Sequence, residues 1–291
     1  MFSTIESYAE KSETINEARK NVREMSFLKE IVILIALFVI AIIALSIFQM
    51  IFTGFNADEK TPLSFLLNHI AFIALPIMVI LYASKIEKRS LRSVGLSKGN
   101  VMSSILKGFC IGFLLILSIL ILNILLGQIR YQGIDFSTFI YLPLFLIGYA
   151  IQSFGEEIIC RGWALTYLAK RHGILLAIII SNIIFVFPHM GIGGFDILTA
   201  VNIFLIGTLF AIIFLKYDNV WICGAVHATW NFLLGPVFGL DVSGISTISL
   251  FNVSKIGPNI LNGGSYGPES SLIVTIVVII AIIIVTYCFK K

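Results

Sequence analysis

Glu156 and Glu157 are adjacent carboxylates inside a long apolar stretch, with Arg161 four residues after the second. Ionisable side chains are costly in hydrocarbon, so a pair of them there marks a functional site. On a helix Glu157 and Arg161 stand at i,i+4 and can pair as a structural ion pair. Glu156 points about 100° away and has no such partner. Two further pairs share the i,i+4 spacing, Phe185 with His189 and His227 with Asn231. Glu156 with a neighbouring His189 can share a water and deprotonate it for attack on a carbonyl. His227 and Asn231, on one helical face, can donate hydrogen bonds to the oxyanion that develops. Glu156, His189 and His227 are also a His2Glu set of the kind that holds catalytic Zn2+, although no H-E-x-x-H is present. The preferred scheme requires no cofactor; the zinc version of the same hydrolysis stays open.

Such residues need helices to hold them. Hydrophobic residues make up 58% of the chain and charged ones 12%, about half the charged share of a soluble domain. This composition specifies an all-α, polytopic membrane protein. Eight apolar segments run Ile31 to Phe52, Leu63 to Ser84, Ile105 to Leu126, Phe139 to Ala169, Ile174 to His189, Leu198 to Leu215, Val220 to Gly235 and Ser271 to Phe289. Each is near the roughly 20 residues a spanning helix needs. The three motifs fall on the fourth, fifth and seventh. At about 1.5 Å per residue Glu156 lies roughly 21 Å from the turn at Lys170, and His189 roughly 24 Å from Gly173 on the other arm. His227 lies about 16 Å and Asn231 about 20 Å from Lys216, so one layer can receive all four side chains.

Residues 1–30 hold five Lys/Arg and six Glu around a thin apolar periodicity of Ile15, Ala18, Val22 and Met25, with a capping box from Thr14 to Glu17. They read as a polar cytoplasmic segment, and 31–291 as one transmembrane helical domain with the site in 140–235. Basic residues cluster at the N-terminus, between the second and third spans, at Lys170 and Arg171, at Lys216, and at Lys290 and Lys291. The other connections hold only Lys60, Arg130 and Lys255. This alternation puts both termini in the cytoplasm, with the Gly-rich connection from Pro236 to Ser270 outside. The net charge of +4 is scattered over short connections, so it is no nucleic-acid footprint. Four cysteines without a C-x-x-C pair give neither a disulfide framework nor a thiolate metal site.

The ordered set Glu156-Glu157-x-x-x-Arg161, Phe185-x-x-x-His189 and His227-x-x-x-Asn231 on separate membrane helices resembles the CAAX protease and bacteriocin-processing enzyme family, also called the Abi or CPBP family of intramembrane endopeptidases. The likeness covers roughly residues 140 to 235. It implies peptide-bond hydrolysis within the membrane on a membrane-associated protein or peptide. Eukaryotic members remove the last three residues of prenylated proteins. Bacterial members are linked to bacteriocin immunity, peptide maturation and signalling. The family has been described both as metalloproteases and as glutamate-dependent proteases. The expected partners are therefore the bilayer and such a substrate, in a multi-pass protein of the cell membrane, and the oligomeric state is open.

Blander readings stand beside these. His69, next to Asn68, reads as a helix–helix hydrogen bonder, and Phe185 as core backing His189. Asn182 is a packing polar that can also line the site. Trp163, Trp221 and Trp230 need no role beyond packing or interface anchoring. Two readings from other classes remain: a proton-coupled transporter in which Glu156 and the histidines form a relay, and a non-catalytic immunity or scaffold protein.

Overall fold

The computed structural model describes residues 1–20, 26–53 and 61–287, the side chains of 52 and 53 excepted. Val22, Met25, Arg23, Lys60, Lys290, Lys291 and the end of the eighth span lie outside the described residues.

Two short helices, α1 (Phe2–Lys11) and α2 (Glu13–Arg19), precede the spans. The cap of α2 is Ser12, whose hydroxyl accepts from the Ile15 N–H at 3.1 Å, so the expected box at Thr14 does not form. Ile5, Tyr8, Ile15 and Ala18 are buried. Tyr8 donates to the Thr286 carbonyl at 3.1 Å, and Asp218 accepts from the Thr14 N–H at 3.2 Å. The polar segment thus packs on one end of the bundle.

Among the described residues seven helices are long and apolar enough to cross a membrane: α3 (Phe27–Thr53), α4 (Pro62–Ile86), α5 (Val101–Leu125), α6 (Phe136–His172), α7 (Ile174–Gly191), α8 (Ile197–Tyr217) and α9 (Val220–Val237). An eighth apolar helix, α10 (Leu272–Tyr287), has 16 described residues. The architecture is that of an all-α polytopic membrane protein. Starts are set locally: Thr61 caps α4, Asp196 caps α8 and Asn219 caps α9, each accepting a hydrogen bond from a first-turn N–H.

The central helix is α9, buried over most of its length, while α3 is peripheral. Between helices in a membrane the close approach of backbones replaces the hydrophobic drive. Gly108 and Gly112 of α5 supply it: a Cβ at Gly108 would stand 2.4 Å from the Ile222 carbonyl oxygen of α9, and one at Gly112 2.8 Å from that of Val226. These two glycines seat α9 against α5 and fix its rotation.

Among the described residues two short strands join connections of this all-α bundle. β1 (Ile129–Ile134) pairs antiparallel with β2 (Phe251–Lys255), Ile129 facing Lys255 and Ile134 facing Phe251, with a bulge between Tyr131 and Gly133. The pair staples the 236–270 connection to the turn before α6.

Candidate functional site

Helix α6 is 37 residues long and extends the expected Phe139–Ala169 span by three residues at each end. It is built in four stretches, a 3-10 turn, an α-helix Leu142–Glu157, a π turn Ile158–Leu165 and a last α-helical turn Thr166–His172. The wide turn begins immediately after the paired carboxylates, the kind of irregularity that gathers at functional sites. Helix α7 ends in a 3-10 turn Phe187–Gly191, with Pro188 near its start, and this turn carries His189. Helix α9 presents His227 and Asn231 one turn apart and finishes in a π turn around Pro236.

Glu157 faces inward and is fully buried with Arg161. Its Oε1 accepts from Arg161 Nη1 at 2.9 Å and from His227 Nδ1 at 3.1 Å. The ion pair expected from spacing is therefore present, and it also reaches the imidazole of α9. Arg161 Nη2 donates to the Gly207 carbonyl at 3.0 Å, and its guanidinium lies 4.4 Å from the Phe185 ring. With Nδ1 donating, His227 turns Nε2 toward Glu156 Oε2, 4.0 Å away. That separation exceeds a direct hydrogen bond and suits one bridging water. Gln152, one turn before Glu156, donates to its Oε1 at 3.2 Å.

The imidazole within 4.0 Å of the Glu156 carboxylate is thus that of His227 rather than His189. His189 donates from Nδ1 to the Phe185 carbonyl at 2.9 Å, which leaves its Nε2 with a lone pair for a proton or a donor. The Phe185 ring makes edge contacts with both imidazoles, 5.3 Å from His189 and 5.8 Å from His227.

A cavity of about 240 Å³ joins these groups; Glu156, Phe185, His189, His227 and Asn231 all line it. The Asn231 carboxamide faces this cavity from the last turn of the α-helical part of α9. Asn182 does not line the cavity; it lies within hydrogen-bond distance of the Thr208 hydroxyl, 2.9 Å, between α7 and α8. Apolar walls come from α3, through Phe38, Ile42 and Leu45. Among the described residues no three His, Cys, Asp or Glu side chains converge closely enough to hold a metal ion. Glu156, His189 and His227 as placed do not form such a group.

Gln152 and Glu269, not singled out in the sequence, and His69 and Trp230, read there as packing residues, also line the cavity. Gln152 had a readable signal, its i,i+4 relation to Glu156. His69 also lines the cavity, its Nδ1 donating to the Phe65 carbonyl at 2.7 Å. Trp230 and Glu269 meet there too, the indole N–H donating to Glu269 Oε1 at 3.1 Å. Burial pushes the Glu269 carboxyl above the usual carboxylate range, against the pull of its hydrogen-bond donors. Nothing in its Gly-rich sequence context distinguishes it.

Residues 137–233, the segment that carries all three motifs, match the family model described as Type II CAAX prenyl endopeptidase Rce1-like. Neither the curated proteins nor the solved structures provide a match to the chain.

Proposed function

We propose, from the match of residues 137–233 to the Rce1-like model of CAAX-type proteases, that this chain hydrolyses a peptide bond of a membrane-associated protein or peptide. The observation that carries the proposal is the line Glu157, His227, Glu156: one carboxylate fixes the imidazole, and a second faces its other nitrogen across 4.0 Å. A water in that gap has a base on one side and an oriented imidazole on the other. Glu156 takes a proton from the water as its oxygen bonds to the carbonyl carbon, and the C=O electron pair moves to oxygen. The Asn231 carboxamide NH2 is a donor for that oxyanion, and His227, one turn away on α9, adds Nε2–H when its ring carries both protons, Nδ1–H being held by Glu157. His189 Nε2, facing the same cavity, helps to seat the water. Collapse of the intermediate breaks the C–N bond, and the proton held by Glu156 goes to the leaving nitrogen. The scheme consumes one water and requires no cofactor.

In this reading Phe185 packs against both imidazoles and, with Arg161, backs the site, while Asn182 serves packing. The basic-residue pattern argues for both termini in the cytoplasm of a cell-membrane protein. Purified protein reconstituted with candidate membrane-anchored peptides tests the activity by mass spectrometry of the products. Cleavage that Glu156→Gln abolishes is expected. Undiminished cleavage by that variant would overturn the assignment of the base.

A further inference from the structure

One wall of the cavity comes from the connection 236–270, outside the matched segment. Val242, Ser243 and Ile245 line it, and Val242 and Ile245 exchange backbone hydrogen bonds of 3.0 and 2.9 Å across a two-residue turn. Both turn residues have positive φ, +47° at Ser243 and +78° at Gly244. Glycine adopts this type I′ geometry without cost, whereas serine persists there only when its surroundings hold it.

Glu269 does the holding. Its Oε2 accepts from both the Ser243 N–H and the Ser243 hydroxyl, each at 2.7 Å, while its Oε1 accepts the Trp230 indole N–H at 3.1 Å. Its own carbonyl accepts from the Asn202 carboxamide of α8 at 2.8 Å. The carboxyl thus ties the turn to α9 at Trp230, adjacent to Asn231 and three after His227, while the backbone carbonyl of the same residue is held by α8. These donors are all neutral.

We infer that Glu269 is a positioning residue of the proposed peptidase site: its carboxyl seats the Val242–Ile245 turn and the Trp230 indole as the wall against which the substrate chain lies, and so governs substrate affinity rather than the chemical step. The inference rests on the hydrolytic reading, and the test separates the two.

Glutamine keeps the size of the side chain but places an NH2 where a donor already points, whichever way its amide is turned. Glu269→Gln is therefore expected to raise KM about tenfold for a membrane-anchored peptide while kcat stays within about twofold. Adding Trp230→Phe removes the indole donor, so the glutamine oxygen can face Ser243 and its nitrogen the side left free. KM of the double variant should return to that of Trp230→Phe alone, a rescue that a merely structural role would not give. Should Glu269→Gln fail to accumulate, Ser243→Ala removes one of the two bonds to Oε2 and should raise KM about threefold.

A readout independent of hydrolysis uses Ile245, 38% exposed at the edge of the turn. Ile245→Cys should be labelled by a maleimide faster when Glu269 is Gln than when it is Glu, measured against the same chain without the added cysteine. Unchanged KM with unchanged labelling overturns the inference, as does a fall in kcat at constant KM. Faster labelling in a protein that cleaves no peptide would keep the clasp and remove the peptidase reading.

Discussion

Replacing Glu157 by Ala takes away an acceptor that serves two donors at once, Arg161 at 2.9 Å and His227 at 3.1 Å. Arg161 is left fully buried between the Phe185 and Phe210 rings, 4.4 and 5.5 Å away, with the Gly207 carbonyl as its remaining hydrogen-bond partner. Removing one member of a buried pair costs about 3–5 kcal/mol, which lowers the folded-to-unfolded ratio by roughly two to four orders of magnitude. Against a total stability of about 5–15 kcal/mol that is a large fraction. Glu157→Ala should therefore melt well below the parent. Its folded fraction should also turn over more slowly, because His227 loses the acceptor that fixes its Nδ1. Arg161→Ala should destabilise in the same direction. Glu156→Gln differs: its carboxylate is 19% exposed and rests on Gln152, so the variant should melt like the parent and cleave nothing. Melting temperature and peptide cleavage on the three variants decide. A fully stable, inactive Glu157→Ala beside an active Glu156→Gln would refute the reasoning and exchange the two roles.

Asn231→Ala should reduce turnover by roughly a hundredfold without loss of folding, the usual cost of one oxyanion donor; unchanged kinetics would remove Asn231 from the site. Tight chelation should leave cleavage intact, whereas loss of activity, with stoichiometric zinc that disappears in His189→Ala, would select the metal-assisted version. Glu269 sets a pH dependence of stability. Its folded carboxyl titrates above the usual 4.5 of glutamate because of burial, so the folded state binds the extra proton within that window. Stability from this group is complete below about 4.5 and is lost as pH rises through the folded value. Melting curves of the parent should accordingly fall relative to those of Glu269→Gln as pH is raised. A constant difference would refute this.

What could be read from the chain was whatever depends on helical period and rise. Glu156, His189, His227 and Asn231 reach one cavity because 1.5 Å per residue keeps depth countable along three helices. Rotation about the axes is a different matter. The contact of Glu157 with His227 requires α6 and α9 to be turned toward each other, and that turn is set by Gly108 and Gly112 on a third helix. The π turn after Glu157 adds a residue per turn and shifts every later face of α6, which no period-3.6 pattern announces. Contacts made through connections were less legible still. Glu269 meets Trp230 across 39 residues and β1 meets β2 across more than a hundred, with turn geometry and strand register, not composition, deciding the partners.

Depth also orders the polar groups of the bundle. At the end of α6 near Lys170, Glu30 accepts from Arg171 at 2.8 Å and Glu87 from Trp163 at 3.1 Å, beside an Arg89–Glu87 pair at 3.2 Å. Such a layer belongs at a water interface, where its charges are cheapest to keep. Glu156 lies fourteen residues up the helix from Lys170, roughly 21 Å. The cavity that it lines also reaches the 236–270 connection. The cavity is accordingly bounded by two unlike walls, the apolar side of α3 and the polar clasp of Ser243, Glu269 and Trp230. A substrate that keeps an apolar part in the bilayer and offers a peptide bond near its surface matches both walls at once, whereas a fully soluble peptide would leave the α3 wall facing lipid.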